Sequence, residues 1–210
     1  MKNNISFFKK FIYLLLVIVL LSNNSSEVQA KTKKVTVKGY YSQTDARTML
    51  SSINDLRTGD ESWYWNGSNT YKVQKSNLKG LKYDYTLEKI AMTRAIEIAV
   101  TFSHTRPNGK SCWTAYTKKL KNSAKGENIA AGYDTVEEVY EAWEEEDEKY
   151  NGQGHRRNML SQSFRYVGIA HVVIKGRDYW VQEFSSKKGS TSYTSPKESG
   201  FKAKIKKVTK

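Results

Sequence analysis

A single cysteine, Cys112, is the feature that most limits how this chain can fold. With one thiol no intramolecular disulfide can form, so buried apolar surface has to hold the structure. At 210 residues the chain is long enough to bury such a core without covalent staples. The restriction matters because the chain opens with an export pattern. Lys2, Lys9 and Lys10 form a positive region, Phe11 to Leu21 is an unbroken apolar run, and Val28-Gln29-Ala30 is a small-x-small cleavage sequence. That is the three-part layout of a secretory signal peptide over residues 1–30, with Lys31 as the first residue after cleavage. The apolar run is shorter than a bilayer-spanning helix, and no second one follows. The expectation is a secreted protein, extracellular or cell-wall associated, without a transmembrane segment once the signal is removed. An exported chain that avoids disulfides fits a single-membrane bacterium better than an animal.

Charge is placed unevenly. Of the formal net charge of +14, residues 1–30 carry +2, residues 31–39 carry +4 and residues 187–210 carry +7, which leaves +1 for residues 40–186. The body is nearly neutral and the basicity sits in two flanking arms. Basic arms on a neutral body suggest either attachment to a polyanion, such as an anionic cell wall or surface polymer, a membrane surface or nucleic acid, or plain solubilising tails. The C-terminal arm, 187–210, has few apolar residues before Phe201 and contains Pro196, so it reads as flexible.

Residues 40–186 read as one domain. Ala46, Met49, Leu50, Ile53 and Leu56 have helical spacing, which predicts a first helix from Ser42 or Thr44 to about Arg57. Residues 58–80 form a polar loop carrying Trp63, Tyr64, Trp65 and Tyr71, aromatics that can stack on sugars or bases or fold back onto the body as a lid, the second being the favoured reading. A second helix is predicted over about Leu87 to Phe102 and a third over about Thr135 to Tyr150. Tyr166 to Ile174 and Asp178 to Phe184 are strand-like, joined by the Lys175-Gly176-Arg177 turn. Helices first and paired strands later indicate an α+β layered domain.

The third helix holds six acids between Glu141 and Glu148. Stepping from Val139 by four, three and four residues reaches Trp143, Glu146 and Tyr150, which keeps one side of a helix. Glu146 is therefore the acid expected to point with the aromatics, and a carboxylate on a packed face needs partners. The chain has three histidines. His171 lies inside a strand pattern and reads as structural. His104, in Phe102-Ser-His-Thr-Arg-Pro-Asn-Gly109, and His155, in Gly154-His-Arg-Arg-Asn-Met-Leu160, lie in loops or turns. Two loop histidines and one inward glutamate can bind a metal or move protons.

These runs resemble the CAP superfamily (cysteine-rich secretory proteins, antigen 5 and pathogenesis-related proteins). FSHTRPNG resembles its first histidine motif, Gly126-Glu-Asn-Ile129 its G-E-N-hydrophobic motif, and GHRRNML its second histidine motif in the bacterial form. Trp143, Glu146 and Tyr150 match W-x-x-E-x-x-x-Y, and Val167-Gly-Ile-Ala170 with Tyr179-Trp-Val-Gln182 match the closing hairpin. The resemblance covers nearly all of residues 45–185. It implies a single-domain, three-layer α-β-α sandwich whose cleft gathers two histidines and two glutamates. Carried over by motif these are His104, Glu127, Glu146 and His155, with a divalent metal such as zinc or magnesium on the histidines and the glutamates as further ligands or bases. The chain departs from eukaryotic members in lacking disulfides, and its 58–80 segment is long and aromatic.

Two functions follow as expectations. One is an extracellular binding or interaction module at the cell surface. The other is a metal-dependent hydrolase of an extracellular polymer, a nuclease or peptidase, in which a glutamate activates metal-bound water. Arg156 and Arg157 beside His155 tilt the second toward a phosphate-bearing substrate such as nucleic acid. No nucleophile completes a triad, and no motif places Cys112 beside a histidine.

Overall fold

The run Tyr166–Ile174 is buried on both faces, Val167 and Ile169 on one and Ala170, Val172 and Ile174 on the other. A strand of that kind belongs in the middle of a sandwich. The computed structural model describes residues 31–209, and the signal-peptide reading of residues 1–30 lies outside them. In chain order the elements are β1 (Thr32–Ser42), α1 (Gln43–Thr58), β2 (Trp63–Trp65), β3 (Lys72–Gln74), β4 (Lys82–Tyr83), α2 (Tyr85–Val100), β5 (Lys125–Ala131), α3 (Val136–Glu144), α4 (Gly154–Met159), β6 (Tyr166–Ile174), β7 (Arg177–Ser185) and β8 (Glu198–Val208). Thr32–Val208 form one compact unit.

The main sheet has the order β5-β7-β6-β1-β8, with β4 added in parallel to the start of β6. The hairpin β6–β7 turns through Lys175 and Gly176, both at positive φ (55° and 71°). On one face α1, α3 and α4 bury Met49, Ile53, Trp143 and Met159 against Val167, Ile169, Trp180 and Phe184. On the other, α2 buries Ala91, Ala95 and Ile98 against Ile129, Ala170, Val172 and Val181. This is the expected α-β-α arrangement. Close packing of α2 on the sheet depends on Gly168, where an added Cβ would fall 2.0 Å from the Glu88 nitrogen.

Three sequence readings change. The arms are strands: β1 pairs with β8 over its whole length, from Thr32↔Val208 to Ser42↔Glu198. The 187–210 arm is therefore not a flexible tail from Glu198 on, and the domain does not begin at residue 40. Each arm is too poor in apolar residues to form structure alone. Together, Val35, Val37, Phe201, Ala203 and Ile205 share one face of the ribbon and join the α2 side of the core. The third helix stops at Glu144 instead of Tyr150. It starts with a capping box between Thr135 and Glu138, but Glu145 takes a left-handed conformation (φ 50°). Acids crowd its C-terminal end, where like charges repel and the helix dipole disfavours them. The 58–80 segment does fold back, as the β2–β3 hairpin with Trp63 buried, while Tyr71 stays exposed.

Candidate functional site

Glu127 and Glu183 face each other across β5 and β7, and both are buried. Like charges directly opposite in a sheet repel, so the pair needs cations or a proton. Arg94, on the buried side of α2, supplies the cation. Its Nε donates to Glu127 Oε2 at 2.6 Å and its Nη1 to Glu97 Oε2 at 2.8 Å. Arg106 forks onto Glu97 from the loop, with Nη2 to Oε1 at 2.6 Å. His104, whose side chain is 59% exposed, meets Glu127 Oε1 through Nδ1 at 2.7 Å. Burial by itself pushes the Glu127 carboxyl up, but the bonds from His104 and Arg94 outweigh it and hold the group below its usual range. Glu183 is the opposite case. Full burial, and then the charge on Glu127, push its carboxyl well above the usual range, so it stays protonated. The Tyr116 hydroxyl donates to its Oε2 at 2.7 Å. Protonation makes Glu183 a donor toward Glu127, which removes the repulsion between them.

The second histidine pairs differently from the sequence reading. His155 Nδ1 bonds Glu145 Oε1, and Glu145 Oε2 accepts from the backbone N–H of His155 at 2.9 Å and of Arg156 at 3.2 Å. Glu146 is exposed and lies past the end of α3. The helical stepping that selected it fails because the helix ends at Glu144, two residues earlier, and the left-handed turn at Glu145 swings that carboxylate onto His155. Trp143 does lie beneath, its ring centroid 6.2 Å from that of His155. The structure thus brings together His104 with Glu127 and His155 with Glu145.

Two asparagines tie the pairs to each other. Asn158 donates to Asn128 Oδ1 at 2.7 Å, and Asn128 Nδ2 reaches the His155 carbonyl at 3.2 Å. Below His155, the buried Arg156 guanidinium donates to the carbonyls of Trp63 (2.6 Å), Glu61 (2.6 Å) and Glu144 (2.9 Å). Arg156 is therefore a structural clamp for the aromatic hairpin and is not available to a phosphate. His171 is buried, bonds Asp178 at 2.6 Å and stacks on Trp180 at 3.7 Å, a structural role as expected.

A cavity of 380 Å³ opens beside the first pair, lined by His104, Cys112, Trp113, Lys125, Glu127 and Asn158. Cys112 thus sits next to His104 although no motif said so. Its thiol is no nucleophile: burial, and then the charge of Glu127, push it up to about 12. Sequence reasoning also missed Arg94, Glu97, Glu145 and Glu183. A signal existed for the first two, since Arg94 and Glu97 follow Ile90 by four and seven residues and so share its packed side of α2.

The sequence model of the cysteine-rich secretory protein family, CAP, matches residues 50–184. The chain belongs to the CAP family. It is similar to the protein YkwD of Bacillus subtilis, described as uncharacterized, at 33% identity over 117 residues, which is 54% of this chain and 42% of YkwD. The match therefore spans less than half of that relative's length. Among solved structures it is similar to an outer surface protein of Borrelia burgdorferi (TM-score 0.54, 22% identity, 71% of this chain and 99% of the other). It is also similar to an extracellular protein of Bacillus anthracis containing an SCP domain (TM-score 0.50, 21% identity, 69% and 41%). A third is NaASP2, solved with Zn²⁺ (TM-score 0.50, 22% identity, 71% and 85%). These likenesses show a shared CAP fold.

The donor set tests the expectation of a metal. Among the described residues no group of three or more His, Cys, Asp or Glu side chains is placed to hold an ion. Glu127 is already committed to Arg94 and His104, and Glu145 to His155 and the start of α4. The residues do not fit a metal caged by protein ligands, which needs three or four of them. What the arrangement offers is two partly exposed imidazoles, each held at Nδ1 by a carboxylate.

Proposed function

We propose that this CAP protein is an extracellular binding module that the β1–β8 ribbon holds against an anionic surface polymer. The carrying observation is the outward face of that ribbon. Lys34, Lys38, Lys202, Lys204 and Lys206 project from it and are all exposed. Lys34 lies directly opposite Lys206, and Lys38 opposite Lys202. Like charges in facing positions destabilise a sheet. The one acid on that face, Glu198, is at its end and accepts the Thr44 N–H at 2.6 Å. A ribbon that carries this repulsion is matched by an external polyanion, with lysines about 7 Å apart along a strand and about 5 Å across. The cleft supports binding over catalysis for the same kind of reason. Glu127 is engaged by Arg94 and His104 and Glu145 by His155, the cleft's thiol is protonated, and its histidines are fixed like struts between loops and sheet. The surface and extracellular descriptions of the Borrelia burgdorferi and Bacillus anthracis proteins agree with this placement.

The test is binding of the purified protein to a poly(glycerol phosphate) polymer at several salt concentrations. Five lysines predict that log K falls with log salt at a slope of about −4. Replacing Lys34, Lys202, Lys204 and Lys206 by glutamine should flatten that slope to about −1. An unchanged slope in the variant would remove the ribbon from the reading. Turnover of the polymer, of DNA or of casein that disappears in both His104→Ala and His155→Ala would replace the binding reading with a hydrolase.

A further inference from the structure

We infer that the free edge of β1 beyond the end of β6 is a binding site for an extended acidic segment of a partner protein, taken up as an added strand. β1 pairs with β8 along all of its length but with β6 only at Tyr40 and Tyr41. β6 ends at Ile174 and the chain turns back at Lys175 and Gly176. Among the described residues, from Thr32 to Lys38 the side of β1 turned away from β8 has no strand beside it, while Gly39 packs against Val173 and Ile174 at the end of β6. In an antiparallel ladder alternate residues aim their N–H and C=O groups to each side. That stretch therefore presents unpaired donors and acceptors in a row about 23 Å long, enough for about six or seven residues of partner.

Among the described residues the outer edge of β8 is also unpaired, but the β1 edge has a cavity next to it. The cavity has a volume of 930 Å³ between the ribbon, the end of α2 and the β6–β7 turn. Val35, Val37, Val100, Ile174 and Tyr179 give it an apolar floor. Lys33, Lys38, Lys175, Arg177 and Lys207 stand in its walls, and no acid lines it. Charge thus selects the occupant. A second copy's lysine-rich ribbon is repelled, while a strand alternating acidic and apolar residues satisfies the walls, the floor and the open backbone edge together. A lone acyl chain with an anionic head would use the floor and the cations and leave the edge unpaired. A nucleic acid would use the cations alone. The surface is separate from the outward lysine face, apart from Lys38, and β1 and β8 lie outside the residues matched to the family.

The experiment uses a fluorescent Glu-Val-Glu-Val-Glu-Val peptide and the purified protein, read by anisotropy. Binding in the micromolar range is expected, with no binding of the Lys-Val analogue. Methylating alternate backbone nitrogens of the peptide keeps its charge and side chains but removes donors, and should weaken binding at least tenfold. Lys33→Glu with Arg177→Glu should do the same. Lys33 is exposed and faces Lys207, so the reversal does not threaten the fold. Hydrogen exchange at Thr32–Lys38 should slow on adding the peptide. The four-lysine variant of the outward face should bind the peptide within about twofold of wild type, which keeps this test separate from that of the polymer. Equal binding of the methylated peptide, full displacement of the peptide by dodecanoate, unchanged exchange at β1, or no binding would each overturn the inference.

Discussion

Replacing Glu183 by glutamine should remove a pH-dependent destabilisation of the fold. The folded carboxyl is held protonated, by burial first and by the charge of Glu127 second. In the unfolded chain it ionises at about pH 4.3. Folding therefore takes up a proton, and stability falls as pH rises above that value until the folded group itself ionises. Within this window each pH unit costs about 1.4 kcal/mol. From pH 5 to pH 7 the wild type should lose about 2.6 kcal/mol relative to Glu183→Gln, provided the folded carboxyl keeps its proton throughout. Glutamine preserves the geometry, since its oxygen accepts from Tyr116 and its amide donates toward Glu127. Other groups stay out of the comparison. Glu127 is depressed, so its contribution is complete above the unfolded carboxylate range and is lost only as pH falls. Cys112 is pushed up to about 12 and acts only in alkali. The assay is urea unfolding at pH 5, 6 and 7 at constant ionic strength, with equal m values as the control for two-state comparison. Parallel stability profiles for the two proteins would mean that Glu183 is ionised in the fold, and the account of the acid pair would fail.

The pairing of His155 is tested by its two neighbours: Glu145→Gln should lower stability by about 1–2 kcal/mol, whereas Glu146→Gln should leave the urea midpoint in place. Arg156→Lys keeps the charge but cannot reach the three carbonyls from Trp63, Glu61 and Glu144, so a loss of about 2–4 kcal/mol is expected from thermal unfolding. Deleting residues 198–210 removes β8, and hydrogen exchange at Thr32–Gly39 should then rise to the rate of an open strand while the amides of β6 stay protected. Protected β1 amides in the deletion would show that the ribbon is not held by the pairing described.

The parts of the fold visible in the sequence are those set by local periodicity. Tyr166–Ile174 was legible to the residue because β-branched and small apolar residues run between clear turn signals. The first two helices were legible within two residues because their apolar stripes are long. The ribbon was not, since its apolar residues face a partner more than 150 positions away in the chain and are outnumbered by lysines. Lysine on an edge strand blocks unwanted pairing, so the composition that resembles disorder is also what such a strand needs. At the site, the motifs placed His104, Glu127 and His155 within one linked network. The Glu145–His155 pair was illegible because it depends on a backbone reversal that helical stepping assumes away. Glu183 was hidden by its strand, where every neighbour is buried and alternation therefore carries no information.

The buried charges point to one economy of design. Arg57, Arg94 and Arg156 are all fully buried, yet each serves a different joint. Arg57 donates to the carbonyls of Lys79 and Met159, Arg94 joins α2 to β5, and Arg156 holds the aromatic hairpin on α3. A chain without disulfides has no covalent means of fixing long loops to a sandwich. A buried guanidinium does this with several directed hydrogen bonds, at the cost of desolvation that those bonds have to offset. The same logic places the acids: Glu127 is ionised because Arg94 needs it, and Glu183 is neutral because no second cation reaches it. His104 then adds to a carboxylate that is already satisfied, so its loss should leave the Arg94–Glu127 joint standing. The cleft therefore combines a rigid buried frame with two imidazole edges at the surface, and the frame does not depend on whatever those edges meet.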